Sequence, residues 1–107
     1  MRIELLLVPD CPNGGKAAGR LRLALDEVGL SDATFTTRVI ATQAEAQAAG
    51  FGGSPTILID GRDPFAPPGA VPALACRLYR TEHGTDTAPD LAQLRRALRD
   101  ADPPGVG

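Results

Sequence analysis

The sequence VPDCPNG, at residues 8–14, is the stretch around which the rest of the chain is arranged. It follows a solidly apolar run at residues 3–8 and precedes a helical pattern at residues 16–28. An apolar run of this length that ends at a proline is typical of a buried strand. Because proline is favoured at the first position of a helix, Pro12 predicts that the helix begins there, with Cys11 as its N-cap.

A cysteine in that position is suited to act as a nucleophile. The free N–H groups and the positive end of the helix dipole favour the thiolate, which is the reactive form. The polar neighbours Asp10 and Asn13 favour exposure of the thiol. The alternative is a small, buried and inert side chain, which is a common fate of free cysteine. We expect Cys11 to be the reactive residue of the protein.

Length and composition indicate one α/β domain. The chain has 107 residues, 43% of them hydrophobic, and a net charge of −2 without a basic block, so neither a nucleic acid nor an anionic membrane is an expected partner. The apolar start is too short for a signal peptide, and no run has membrane-spanning length. We expect a cytoplasmic protein with a domain at residues 1–101 and a flexible tail at residues 102–107.

Hydrophobic periodicity predicts the element order β-α-β-α-β-β-α. Two βα units predict parallel neighbouring strands, and the last two strands can pair antiparallel. The predicted strands lie at residues 2–9, 33–40, 56–59 and 73–80, and the predicted helices at residues 16–28, 43–49 and from about 90 to 101.

The segment at residues 73–80 leaves two interpretations open. Its alternation predicts a strand whose buried face carries Leu74, Cys76 and Leu78, with Arg77 and Tyr79 on the other face. Alanine and leucine are also helix formers, so a helix is the alternative. The strand is the prediction carried forward.

Three motifs add a family resemblance to this order. They are Asp-Cys-Pro-Asn at residues 10–13, Gly-Ser-Pro-Thr at residues 53–56 and Asp-Gly-Arg-Asp-Pro-Phe at residues 60–65. Together they resemble the thioredoxin-like fold, and in particular small thioredoxin-like proteins that are sometimes labelled alkylmercury-lyase-like or grouped with selenoprotein-containing thioredoxins. The resemblance extends from Arg2 to about Ala101, and it implies a four-stranded mixed sheet with helices on both faces.

The resemblance also implies roles for individual residues. Cys11 matches the nucleophilic first cysteine of the family. Pro55 matches the cis-proline beside it, whose carbonyl and neighbouring backbone, at Ser54 and Thr56, hold an extended substrate thiol or peptide. The alternative for Pro55 is an ordinary trans proline at the start of a strand, since cis bonds are a small minority of X-Pro bonds.

The chain departs from the family at Gly14, where a Cys-x-x-Cys motif would have its second cysteine. A local dithiol cycle is therefore excluded, and an external thiol such as glutathione, or Cys76, must resolve a mixed disulfide. If the third and fourth strands pair antiparallel, Cys76 lies about five residues along the fourth strand from the end that faces Cys11. At about 3.3 Å per residue, that places it about 16 Å from Cys11. We therefore expect Cys76 to be a core thiol.

The same pairing brings the polar loop at residues 81–87 towards Cys11. His83 is then a candidate for stabilising the thiolate or moving a proton, and a solvated loop histidine is the alternative. A faint resemblance to glutaredoxins makes Thr85 and Asp86 candidates for holding a glutathione backbone. The two cysteines and one histidine lack the spacing of a metal site, so none is expected.

These residues predict a monothiol thiol–disulfide oxidoreductase acting on a small thiol or a protein thiol, with glutathione as a candidate co-substrate and no bound cofactor. Two alternatives remain open. One is a binding module that keeps the fold without the chemistry. The other is handling of a soft metal such as mercury by Cys11 and Cys76, which requires the two sulfurs to converge. The oligomeric state does not follow from the sequence.

Overall fold

Three helices and two small β-sheets make up the computed structural model, which describes residues 1–67 and 69–101. The predicted tail at residues 102–107 lies outside the described residues. No helix in the described part of the chain is long and apolar enough to cross a membrane. The elements in chain order are β1 (Ile3–Leu7), α1 (Gly14–Glu27), β2 (Thr36–Val39), α2 (Gln43–Ala49), β3 (Thr56–Ile59), β4 (Tyr79–Thr81), β5 (Gly84–Asp86) and α3 (Leu91–Ala101).

The apolar strand β1 is the centre of the larger sheet, whose order is β2-β1-β3. Strand β2 runs parallel to β1, with Leu5 opposite Thr37, as the βα pattern predicted. Strand β3 runs antiparallel on the other side, with Leu5 opposite Ile57. Every residue of β3 is buried and every residue of β2 is exposed, so β2 forms the solvated edge of this sheet.

Helices cover both faces of this sheet because side chains along its buried strands alternate in direction. Leu5 and Ile57 pack into a cluster with Leu21 of α1 and Leu94 of α3. The second face forms a separate cluster with α2 and the residues around it, which are Leu6, Ile40, Ala46, Phe51 and Leu58. The fold is therefore a mixed α/β arrangement in three layers.

Two helices begin at side-chain caps. Thr42 Oγ1 accepts a hydrogen bond from the Glu45 N–H at 3.1 Å, which confirms the predicted start of α2. Asp90 and Gln93 cap α3 reciprocally, since the side chain of each accepts from the backbone N–H of the other, at 2.8 and 3.0 Å. Such caps satisfy N–H groups that have no partner inside the helix.

The predicted fourth strand at residues 73–80 is wrong, and the described residues form a three-stranded sheet where four strands were predicted. Residues 73–78 contain only an isolated bridge at Cys76. Strand β4 begins at Tyr79 and pairs antiparallel with β5, which lies inside the segment predicted to be a loop. The predicted faces are also reversed, because Arg77 and Tyr79 are buried whereas Leu74 and Leu78 are exposed.

The reversal follows from the partners of Arg77. Its Nη1 donates to Asp63 Oδ2 at 2.6 Å, and both side chains are less than a tenth exposed. The guanidinium carbon also lies 4.4 Å from the centre of the Tyr79 ring. Because the Arg77 charge has a carboxylate partner and faces an aromatic ring, burying it costs far less than burying an unpaired charge.

Tyr79 continues this contact towards β3. Its hydroxyl donates to the carbonyl of Pro55, and its ring meets Phe65 edge-on at 5.9 Å. Burial raises the pKa of the Tyr79 phenol well above its usual value, and the nearby Arg77 cation opposes that shift. The phenol therefore remains a hydrogen-bond donor, which fixes residues 77–79 against the start of β3.

Removing the carboxylate of this ion pair should strongly destabilise the protein. Asp63→Ala leaves the Arg77 guanidinium buried and unpaired, which we expect to lower the free energy of unfolding by about 3–5 kcal/mol. Glu27→Ala is the matched control, because Glu27 pairs with Arg95 where both side chains are about a third exposed, and it should cost at most about 1 kcal/mol. Urea denaturation followed by circular dichroism measures both values. Equal losses in the two variants would contradict this account of Arg77.

Candidate active site

Cys11 lies in a turn that connects β1 to α1. The Gly14 N–H donates to the Cys11 carbonyl at 3.3 Å, with Pro12 and Asn13 in the central positions. Proline is favoured at the first central position of such a turn, and the Asn13 angles, φ −100° and ψ 1°, suit the second. Asn13 is the helix N-cap. The prediction that Cys11 is the N-cap is therefore wrong by two residues, because Pro12 is used by the turn.

Ser54 holds the sulfur of Cys11 at the end of β1. Its Oγ donates to Cys11 Sγ at 2.9 Å and accepts from the Val8 N–H at 3.1 Å. Ser54 is fully buried, whereas Cys11 is half-buried and retains access to solvent. The Val8 N–H satisfies an acceptor position of the hydroxyl, which leaves the hydroxyl hydrogen for the sulfur.

The Ser54–Pro55 peptide bond is cis, as predicted. The backbone around it already has partners within the chain. The Ser54 N–H donates to the Ala75 carbonyl at 2.7 Å, and the Ser54 carbonyl accepts from the Arg77 N–H at 2.9 Å. The Pro55 carbonyl accepts from Tyr79. The groups that the resemblance assigned to an extended substrate are thus occupied by residues 75–79.

Thr56 does not join Cys11, although it lies only two residues from Ser54. Its hydroxyl donates to the Gly53 carbonyl, and the Arg77 guanidinium donates to it at 3.4 Å. The side chain is fully buried. The Thr56 side chain thus makes a structural contact between β3 and Arg77.

Cys76 is exposed, so the prediction of a core thiol is wrong. The predicted antiparallel strand does not form; instead, residues 75–77 lie parallel to the chain at Ser54, and Cys76 is the residue opposite Ser54. Both cysteines therefore lie next to the same serine, Cys11 at its hydroxyl and Cys76 at its paired backbone. Sequence reasoning missed this juxtaposition because it depends on the register of an irregular segment.

Gly53 permits the close approach of the two chain segments. A Cβ at this position would lie 2.9 Å from the Cβ of Arg77, closer than two such atoms can approach. The backbone φ of Gly53 is 119°, a value that residues other than glycine rarely adopt. The two glycines before Ser54 were the available sequence signal for this contact.

The remaining predicted site residues lie on the β4–β5 hairpin. His83 is exposed at its turn, where its N–H donates to Thr81 Oγ1 at 3.1 Å, and Thr85 is exposed on β5. Asp86 bonds to Lys16 and Arg20 of α1, each at 3.0 Å. Among the described residues, none of the three predicted hairpin residues forms a hydrogen bond to Cys11.

Asp86 lies among groups that stabilise the negative charge of its carboxylate. The Lys16 ammonium, the Thr87 N–H and the Arg20 guanidinium hold the pKa of the Asp86 carboxyl well below its usual range. These contacts join the hairpin to the first turns of α1, the helix that follows Cys11. Asp86 therefore has a structural role in fixing the hairpin to α1.

A groove of about 680 Å³ opens beside this region, between the end of α2, the residues that follow β3 and the start of α3. Phe65, Arg77 and Tyr79 are among its lining residues, and neither cysteine is. Within residues 1–67 and 69–101, no group of three or more His, Cys, Asp or Glu side chains is placed to hold a metal ion.

Comparisons of this chain with protein-family models, curated proteins and solved structures found no match. A function must therefore be inferred from the contacts of Cys11, Ser54 and Cys76.

The Asp86 contacts predict a specific dependence of stability on pH. A carboxyl whose pKa is lowered by folding stabilises the native state above its unfolded pKa of about 3.9 and loses that contribution as the pH falls below it. We expect Asp86→Asn to be less stable than the wild type at pH 7, with the difference shrinking at acid pH. Urea midpoints across this range provide the measurement. A difference that stayed constant throughout the acid range would show that the charge is not responsible.

Proposed function

We propose that this chain is a thioredoxin-like protein that uses Cys11 as a single nucleophilic thiol in thiol–disulfide exchange. The observation that carries the proposal is the hydrogen bond from the buried Ser54 hydroxyl to Cys11 Sγ, beside the cis Ser54–Pro55 bond. A donor aimed at sulfur stabilises negative charge on it, and the thiolate is the form that attacks a disulfide.

The chemical step needs no cofactor. The Cys11 thiolate attacks one sulfur of a disulfide RSSR, a new S–S bond forms to Cys11, and the other sulfur leaves as RS⁻, which takes up a proton. A second thiol then attacks the mixed disulfide, restores Cys11 and carries away the oxidised product. Ser54 retains its donor to sulfur in the reduced state, and Val8 keeps the hydroxyl oriented.

Two features favour a small disulfide over an extended peptide as the substrate. The backbone groups of Ser54 and Pro55 already bond to residues 75–79, so a peptide would have to displace that segment. Cys11 itself is half-buried at a turn, where a compact molecule can approach the sulfur. Glutathione disulfide is the proposed class of substrate, and a glutathione-rich compartment such as the cytoplasm is the proposed location.

The sheet supports the fold part of this proposal in outline. Strand β1 leads to the Cys11 turn, a parallel neighbour lies on one side and an antiparallel one on the other, and β3 follows directly from the cis-proline. The thioredoxin-like assignment rests on this core, on the motif resemblance and on helices that cover both sheet faces.

The Cys76→Ser variant isolates the first step of the proposed chemistry. Treated with glutathione disulfide, it should gain one glutathione, located at Cys11 by peptide mass spectrometry. The Cys11→Ser/Cys76→Ser variant is the matched control and should gain none. If the Cys76→Ser variant stays unmodified while folded, the chemistry is absent, and the non-catalytic binding module becomes the better interpretation.

Loss of the Ser54 hydroxyl should slow the reaction of Cys11. A hydrogen bond to a charged group contributes about 1.5–3 kcal/mol, so Ser54→Ala should reduce the rate of Cys11 alkylation by iodoacetamide about tenfold or more at neutral pH. Thr56→Val is the control, because it removes a buried hydroxyl nearby that does not contact Cys11. The rates are measured in a Cys76→Ser background under conditions where circular dichroism shows folded protein. Equal rates in Ser54→Ala and Thr56→Val would contradict the role of Ser54.

A further inference from the structure

We infer that Cys76 is the resolving thiol of the site, which attacks the mixed disulfide on Cys11 and closes an intramolecular Cys11–Cys76 disulfide. The inference rests on the proposed nucleophilic role of Cys11. It assigns the second step to a residue of the chain itself, although position 14 carries glycine where a local second cysteine would be.

The first observation is the backbone pairing at Ser54. Its N–H bonds to the Ala75 carbonyl and its carbonyl accepts from the Arg77 N–H, at 2.7 and 2.9 Å, so Cys76 lies directly opposite Ser54. Residues paired in this way have Cα atoms about 5 Å apart and direct their side chains to the same face. Cys76 therefore shares a face with the serine that touches Cys11.

The second observation fixes which face that is. A Cβ on Gly53 would meet the Cβ of Arg77, so positions 53 and 77 face the same way. Side chains alternate along extended chain, which directs Ser54 and Cys76 to the other side. Cys11 Sγ lies 2.9 Å from Ser54 Oγ there. Cys76 is therefore the residue beside Ser54 on the face where the Ser54 hydroxyl touches Cys11 Sγ.

The third observation is access. Cys76 is exposed, as are its neighbours Leu74 and Ala75, and residues 73–78 lie outside any helix or strand. A disulfide requires Cα atoms within about 7 Å. Because Cys11 lies in a turn and Cys76 in an irregular segment, the approach that closes the bond would alter no helix or strand.

The proposed step balances without a bound cofactor. The Cys76 thiol loses its proton to solvent, its sulfur attacks Cys11 Sγ in the Cys11–glutathione mixed disulfide, and the S–S bond to Cys11 forms as glutathione leaves as a thiolate. Two molecules of a different low-molecular-weight thiol then reduce the Cys11–Cys76 disulfide and are released as their own disulfide. The cycle thus transfers two electrons between small thiols and small disulfides.

The test compares the reduced wild-type protein with Cys76→Ser after addition of glutathione disulfide, with acid quenching over time and intact mass spectrometry. Cys76→Ser should hold a persistent single glutathione adduct. In the wild type the adduct should be transient, with decay at least about tenfold faster because the second thiol is intramolecular. The final wild-type mass should lack two hydrogens, and trypsin should yield residues 3–16 linked to residues 63–77.

The outcomes separate this inference from the proposed function. A stable glutathione adduct at Cys11 in both proteins would overturn the role of Cys76 and leave the nucleophilic role of Cys11 intact. Adducts on both cysteines, or disulfide-linked dimers in place of the internal bond, would also overturn it. No modification of Cys11 in either protein would refute the proposed function itself. Because Cys76 is exposed, its replacement by serine should leave the fold unchanged, which circular dichroism can verify.

Discussion

The arrangement of the site depends on the hydrogen bonds of Ser54, a fully buried residue whose polar groups all have partners. Its backbone bonds to Ala75 and Arg77, and its hydroxyl bonds to Val8 and to the Cys11 sulfur. A buried polar group without a partner is costly, so these four contacts favour one relative placement of the segments they join. The end of β1, the Cys11 turn and residues 75–77 are consequently positioned by a single side chain and its own peptide groups.

Arg77 gives this junction its stability. Its guanidinium pairs with Asp63, which follows β3, and lies over the ring of Tyr79, which in turn bonds to Pro55. The neighbouring Cys76 is thereby left on the outer side of the segment, exposed and next to Ser54. A charged residue buried for structural reasons thus determines where the second thiol of the protein is presented.

Local patterns predicted those parts of the molecule that depend on local physics. The apolar run of β1 and the Thr42 cap of α2 each fix an element from its own residues, whereas the cis Ser54–Pro55 bond was predicted from the family resemblance. The segment at residues 73–80 could not be predicted in this way. Its alternation has the right period, but the buried face is decided by Asp63, fourteen positions earlier in the chain.

The N-cap prediction for Cys11 failed for a related reason, because Pro12 suits a turn as well as a first helical position. The contact at Gly53 has a different consequence, which concerns sequence variation. Any side chain at that position would push Arg77 away and separate the strand start from the segment that carries Cys76. A homologue with this juxtaposition should therefore keep glycine before its Ser-Pro-Thr. Together with a distal cysteine, that glycine is a search criterion for recognising relatives that share the same two-thiol geometry without a Cys-x-x-Cys motif.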